Sequence, residues 1–247
     1  HVVPCGNWTM RAEAHTARNG PLPFVVVELG TDDNHLRLQL PARRSHEAPT
    51  ILFYDLPDGD PCTAAPSFQR YLLDRHLPAT QRATPVVYNT WFYVFEWFTV
   101  DGLRKQLAAA RDAGCEVFVV DAGWYGAGSG TWWDQVGDWR EKPDGAFRGR
   151  MADFADEVRA AGLGFGLWME PERLGAQAPI VREHPEWFFT SDGKHYWPNL
   201  EDRACYTYIL EQMARLITAY KLVWMKVDFN FERGIDPNGC LRAANRA

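Results

Sequence analysis

From residue 85 onward, short continuous blocks of hydrophobic residues alternate with longer stretches in which apolar positions recur every three or four residues. The blocks at 86–91, 116–121, 164–170 and 222–228 have the length and β-branched or aromatic content of buried strands, and 100–113, 151–161 and 204–220 have helical spacing. Gly114 and Gly162 follow the first two helical stretches, where a left-handed cap ends a helix. Strands separated by helices must pair in parallel through right-handed crossovers. Each of the four blocks ends in residues able to do chemistry: Asn89 and Trp91; Asp121; Trp168 and Glu170; Lys226, Asp228 and Asn230. Polar residues gathered at successive strand C-termini fit the active face of a (β/α)8 barrel, whereas a doubly wound sheet concentrates them at one switch point. The pattern therefore predicts an α/β fold holding the first four strands of a TIM barrel.

The first part of the chain reads differently. Runs at 24–29, 36–40 and 50–54 are β-prone and separated by Gly, Pro, Asp and Asn clusters, as in antiparallel all-β domains. Residues 67–77 have helical spacing and stop at Pro78, which predicts a linker helix within 65–84. The organisation is thus 1–64, an all-β part; 65–84, a linker; and 85–247, half of a barrel.

The 247 residues are 46% hydrophobic and 23% charged, with a net charge of −6, and contain no basic tract, which argues against nucleic-acid or anionic-membrane partners. No apolar run reaches membrane-spanning length. The five cysteines are scattered, with no C-x-x-C pair, so neither a disulfide framework nor a structural zinc is expected, and a reducing, cytoplasmic setting is favoured. A start at His1, without methionine or leader, reads as part of a longer or processed polypeptide. Eleven tryptophans offer flat apolar platforms suited to sugar rings as well as to a large core.

The segment 222–231 carries the sharpest chemistry. Lys226, Asp228 and Asn230 stand at alternate positions and so share one face of a strand. Three polar side chains facing one way inside a sheet are expensive to desolvate, which places them at a polar site on the strand end. A carboxylate beside an ammonium stays ionised near neutral pH, as an enzymatic nucleophile must. A solvent-facing salt bridge at a strand end fits the same three residues.

Six motifs in order, Asn89-Thr-Trp91, Phe118-Val-Val-Asp-Ala-Gly-Trp-Tyr-Gly126, Gly137-Asp-Trp139, Phe165-Gly-Leu-Trp-Met-Glu-Pro-Glu172, His184-Pro-Glu-Trp187 and Lys226-Val-Asp-Phe-Asn230, extend over roughly residues 65–235. This set resembles the melibiase-type α-galactosidases of glycoside hydrolase family 36. The resemblance implies a β-sandwich before the barrel, with 1–64 as its closing portion. It also implies no metal or organic cofactor, and retaining hydrolysis of terminal α-galactosides such as melibiose and raffinose. Carried over by position, Asp228 matches the nucleophile and Lys226 a ligand of sugar hydroxyls. Asp121 matches the first of two carboxylates that grip galactose, Trp91 and Trp168 match aromatic walls of the pocket, and Asn230 matches a polar neighbour of the nucleophile. Glu170 and Glu172 fit either the site or a structural anchor, while Trp139 and Trp187 fit packing.

Two positions depart from the family pattern. Ala122 replaces the second galactose-gripping carboxylate, which bears on the preferred sugar. Val227 replaces a tryptophan, a change expected to affect packing behind the sheet. A retaining mechanism requires a second carboxyl group as acid/base, which the resemblance implies lies beyond Ala247, so the 247 residues alone are expected to be inactive. A transferase of raffinose-synthase type and a catalytically silent sugar-binding relative remain open beside the hydrolase. The expected partner is an oligosaccharide or small α-galactoside, and association of full-length copies is left open.

Overall fold

The computed structural model describes residues 8–16, 23–31, 40–46, 50–54, 56, 59–76, 84–128, 130–230 and 241–242. The chain divides into two compact units, residues 1–84 and 85–247. In the first, β1 (Trp8–Thr16) and β2 (Pro23–Thr31) form a nine-residue antiparallel ladder from Trp8↔Thr31 to Thr16↔Pro23. The run at 24–29 lies inside β2. Of the run at 36–40, residues 36–39 lie outside the described residues and Leu40 belongs to no strand. The strand expected at 50–54 shrinks to one bridging residue, Ile51, since a short apolar run without alternation does not by itself supply a ladder partner. Helix α1 (Pro61–His76) begins six residues before the reading from apolar spacing. Asp60 explains the early start: its carboxylate accepts from Cys62 N at 2.9 Å and Thr63 Oγ1 at 2.7 Å, and the first helical residue is a proline with no N–H to satisfy.

The second unit contains, in chain order, β3 (Val87–Asn89), α2 (Trp91–Val94), α3 (Val100–Asp112), β4 (Val117–Val120), α4 (Trp132–Gln135), α5 (Met151–Ala160) and β5 (Gly164–Met169). There follow β6 (Leu174–Gly175), α6 (Pro179–Glu183), β7 (Phe188–Thr190), β8 (His195–Pro198), α7 (Arg203–Tyr220), β9 (Trp224–Val227) and β10 (Leu241–Arg242). Strands β3, β4, β5 and β9 form one parallel sheet in that order, each beside the next, as in the first four strands of a (β/α)8 barrel. All of β4 is buried, because helices cover the sheet. Leu103, Leu107 and Ala110 make the inward stripe of α3, and Met151, Phe154, Ala155 and Val158 that of α5. Phe154 joins the layers, meeting Phe118 of β4 at 6.1 Å and Phe165 of β5 at 6.3 Å between ring centroids.

The helix ends are set by local chemistry. Thr99 Oγ1 accepts from Gly102 N at the start of α3, and Asp202 accepts from Ala204 N and Cys205 N at the start of α7. Gly114 and Gly162 both take the left-handed conformation, and Cys115 N and Leu163 N reach back to Ala110 O and Val158 O.

A second sheet, absent from the sequence reading, takes β6, β7 and β8 from between β5 and α7 and β10 from after β9, in the order β10-β7-β8-β6, with antiparallel pairings throughout. It has its own core of Leu174, Ala178, Ile180, Val181, Phe188 and Cys205. At the edge of the parallel sheet, β9 pairs with β5 on one side and with no other strand among the described residues. Val227 there is 51% exposed among the described residues.

Candidate active site

The four parallel strands present their C-terminal ends on the same edge of the sheet, and the residues at and just beyond those ends form a continuous polar cluster. β3 delivers Asn89, whose Oδ1 accepts from Trp91 N at 2.8 Å and whose Nδ2 donates to Asp121 Oδ2 at 2.7 Å. β4 delivers Asp121; its main-chain N–H donates to Thr90 Oγ1 and its Oδ1 accepts from Ala122 N at 2.8 Å. β5 and β9 are registered with Trp168 opposite Lys226. Beyond the last paired residue, Asp228 N still donates to Met169 O at 2.9 Å, so the ladder carries the chain one step further and fixes the root of the Asp228 side chain.

Lys226 is the hub. Its Nζ lies 2.8 Å from Asp121 Oδ2 and 3.4 Å from Asp228 Oδ2. The same Asp228 oxygen accepts from Trp168 Nε1 at 3.0 Å, while Oδ1 accepts from Phe229 N at 2.9 Å. Partial burial pushes the Asp228 carboxyl upward, but the Trp168 indole, the Asn230 amide, the Phe229 N–H and the Lys226 charge outweigh it and hold the group below the ordinary aspartate range. Asp121 is almost fully buried, whereas the Asp228 side chain keeps 29% of its surface exposed. The cluster is thus anchored on one side and open on the other.

A second charged group lies just behind it. Glu170 follows β5 and pairs with Arg173 through two contacts, Nε to Oε1 at 2.8 Å and Nη2 to Oε2 at 3.0 Å, with neither side chain exposed. The guanidinium lies 3.7 Å from the centroid of the Trp133 ring and donates to Trp133 O. Glu170 Oε1 also accepts from Asn230 N at 3.1 Å. Glu172, two residues on, is exposed.

The tryptophans take unequal places. Trp168 is buried, with Tyr125 stacked on it at 5.7 Å and 9° and the edges of Trp132 and Trp139 nearby. The part of Trp168 that reaches the cluster is its N–H. Trp91 packs edge-on against Phe95 and Trp132 at 5.2 and 5.4 Å, and meets the carboxylates only through its main chain and Asn89. Trp139 is buried in the main core, and Trp187 packs against His184 and Tyr208.

Ala122 is buried. Next to it, Gly123 adopts φ +106°, and a Cβ there would come within 2.8 Å of the Cβ of Glu96. Glu96, from the turn after α2, accepts from Trp132 N at 2.7 Å and so brings a carboxylate into the neighbourhood where Ala122 carries none. Glu96 and Arg173 were not singled out by the sequence, because neither stands at a strand end or in a spaced pattern. Among the described residues no group of three or more His, Cys, Asp or Glu is arranged to hold a metal ion. No helix among them is long and apolar enough to cross a membrane.

Comparison with known proteins agrees with this architecture. The chain is 26% identical over 215 residues to α-galactosidase Mel36A of Lactobacillus acidophilus, covering 83% of this chain and 29% of that protein. It is 27% identical over 177 residues to an Escherichia coli α-galactosidase, covering 67% of this chain and 24% of that protein. The chain therefore spans less than a third of the length of these relatives. Among solved structures, the family 36 α-galactosidase AgaB of Geobacillus stearothermophilus superposes with a TM-score of 0.54 at 23% identity, covering 67% of this chain and 24% of that one. A variant of AgaA from the same organism, solved in complex with raffinose, gives 0.51 at 24% identity over the same shares. Both structures share its fold. Residues 63–242, well over half of the chain, match the Melibiase family model, and the chain belongs to that family.

Proposed function

We propose that the complete gene product is a retaining α-galactosidase in which Asp228 is the nucleophile. The observation that carries this reading is the Asp228 carboxylate itself, held ionised by Trp168, Asn230, Phe229 and Lys226 yet open on one side, at a strand C-terminus of a melibiase-family chain. In the proposed reaction Asp228 attacks the anomeric carbon as the bond to the leaving oxygen breaks, giving a β-linked glycosyl-enzyme that water then opens with overall retention. Lys226 and Asp121 hold sugar hydroxyls, Lys226 having an N–H left over after its two carboxylate contacts. Trp168 steers the nucleophile through its N–H, Trp91 borders the pocket, and Asn230 supports the carboxylate. The proton donor to the leaving oxygen is assigned to none of these. Asp121 is surrounded by donors, with Ala122 N on one oxygen and Asn89 and Lys226 on the other, so its place suits accepting hydrogen bonds. The proposed substrates are terminal α-galactosides, the compound class to which the raffinose bound by the AgaA variant belongs.

The complete gene product is to be assayed on an aryl α-galactoside, with the first-formed sugar identified by NMR. The expected product is α-galactose. Asp228→Asn should lower turnover by a factor of the order of 10⁴ while sugar binding persists. In Asp228→Gly, azide should enter from the vacated side and give the β-galactosyl azide. First-formed β-galactose, or full turnover in Asp228→Asn, would remove Asp228 from this role.

A further inference from the structure

We infer that the sealed Glu170–Arg173 pair is a positioning device that holds the nucleophile's loop in register, acting through the main-chain N–H of Asn230. This rests on the reading of Asp228 as nucleophile. The geometry forms an unbroken series. Arg173 is fixed by Trp133, whose ring it covers at 3.7 Å and whose carbonyl it donates to at 3.2 Å. It grips both oxygens of Glu170, and the Oε1 that receives Arg173 Nε also receives Asn230 N at 3.1 Å. Asn230 lies two residues after Asp228, beyond the last strand residue, Val227. Its side chain is one of the groups that hold the Asp228 carboxyl below the ordinary aspartate range. The chain from 228 to 230 is thus held at two points, by Met169 O on Asp228 N and by Glu170 on Asn230 N.

A carboxylate with no exposed surface is a costly way to accept a single N–H unless its orientation matters. An unpaired Glu170 has no reason to keep one rotamer, whereas two guanidinium contacts leave it one. Asn230 is itself exposed, so burial does not hold its main-chain N–H, and Glu170 is the acceptor that N–H meets among the described residues. Rigid support of a reacting group matters because misplacement by about 1 Å costs roughly a hundredfold in rate. The only groups that face Glu170 at hydrogen-bond distance among the described residues are Arg173 and Asn230 N, which makes the pair specific to this loop.

The test uses the complete gene product. Glu170→Leu combined with Arg173→Met removes both charges at similar buried volume and leaves Asn230 N without its acceptor. Three results are expected. In the wild type, hydrogen exchange of the peptide containing Asn230 is slowed about a hundredfold relative to an open loop. In the paired variant that protection is lost, kcat falls about tenfold or more, KM changes less, and the acidic limb of kcat/KM moves to higher pH, because Asn230, one of the groups that keep the Asp228 carboxyl low, is no longer fixed beside it. Asn230→Ala reproduces the shift of the limb and adds nothing further in the paired variant. Fast exchange at Asn230 in the wild type overturns the proposal without any variant having to fold. An unmoved limb and kcat in a folded paired variant overturns it as well, since a purely structural pair changes only the unfolding midpoint. If the wild type hydrolyses no α-galactoside, it is the nucleophile reading that fails, and the exchange measurement still decides whether Glu170 holds Asn230.

Discussion

The ammonium of Lys226 and the guanidinium of Arg173 each meet a carboxylate at the end of neighbouring strands, but their surroundings differ in kind. Lys226 is a point charge on a flexible stem, one third exposed, shared between Asp121 and Asp228 at 2.8 and 3.4 Å. Arg173 is a planar fork with no exposed surface, committed to both oxygens of one carboxylate and stacked on an indole. The first arrangement leaves a carboxylate charged, incompletely coordinated and reachable. The second leaves nothing reachable and fixes direction. One strand end therefore supplies reactivity and its neighbour supplies rigidity, and the two are joined through the main chain of Asn230.

The largest effect that separates them is on stability. Arg173→Met alone strands the Glu170 carboxylate in a site with no exposed surface and should cost about 3 to 5 kcal/mol, whereas removing both charges together costs far less. Lys226→Met should cost about 1 kcal/mol, since Asp121 keeps the Asn89 amide and the Ala122 N–H, and Asp228 keeps Trp168 and Phe229. Thermal or denaturant midpoints of the three variants give the comparison. Equal losses for Arg173→Met and Lys226→Met would show that the two clusters are not different in kind.

The unequal visibility of the clusters in the sequence has the same origin. Lys226, Asp228 and Asn230 stand two residues apart on a strand, and that spacing is a direct consequence of strand geometry, so their convergence could be read from the sequence. The strands and helices around them were equally plain, because apolar stripes such as Leu103, Leu107 and Ala110 and caps such as Gly114 and Gly162 are local signals. Arg173 shows no such signal: a buried arginine is defined by what surrounds it, here Trp133 from forty residues earlier. Trp168 could be placed at the site, but not the turn of its ring, which depends on Tyr125 and Trp132. The antiparallel sheet was missed because strands of two to four residues are too short for alternation to register. One local cue was present. Asp192-Gly193 lies between Phe188–Thr190 and His195–Pro198, Gly193 takes φ +71°, and Asp192 Oδ1 accepts from Lys194 N and His195 N, which is the chemistry of a hairpin turn. Asp60 before Pro61 was a similar overlooked start signal for α1.

A smaller effect concerns pH. Asp228 titrates lower in the folded chain than in the unfolded one, so its ionised form contributes stability that is fully present above the unfolded-state value and is lost as pH falls through the folded-state value. The acidic limb of kcat/KM should accordingly lie below the usual aspartate range. Trp168→Phe removes one donor to Asp228 and Lys226→Met removes the nearby charge, and each should move the limb upward while leaving the ring packing or the strand register in place. Initial rates across the acid range measure this directly. A limb unmoved in both variants would mean that the donors seen around Asp228 do not set its charge.

Salt gives the smallest and most selective separation. The screening length falls from about 10 Å at 0.1 M to about 3 Å at 1 M, but screening requires that ions approach the charges. They can approach Lys226 and Asp228, which are exposed in part, and cannot approach Glu170 and Arg173, which are not. Raising the salt concentration should therefore shift the acidic limb upward by less than Lys226→Met does, and should have no such effect once Lys226 is gone. The hydrogen-bonded contribution of Trp168 is short-ranged and should persist in high salt. The difference in unfolding midpoint between wild type and Arg173→Met should be the same at both salt concentrations, measured as a difference so that general salt effects on the fold cancel. If that difference shrinks in high salt, solvent ions reach the Glu170–Arg173 pair, and the contrast between an open charge that reacts and a sealed charge that positions loses its physical basis.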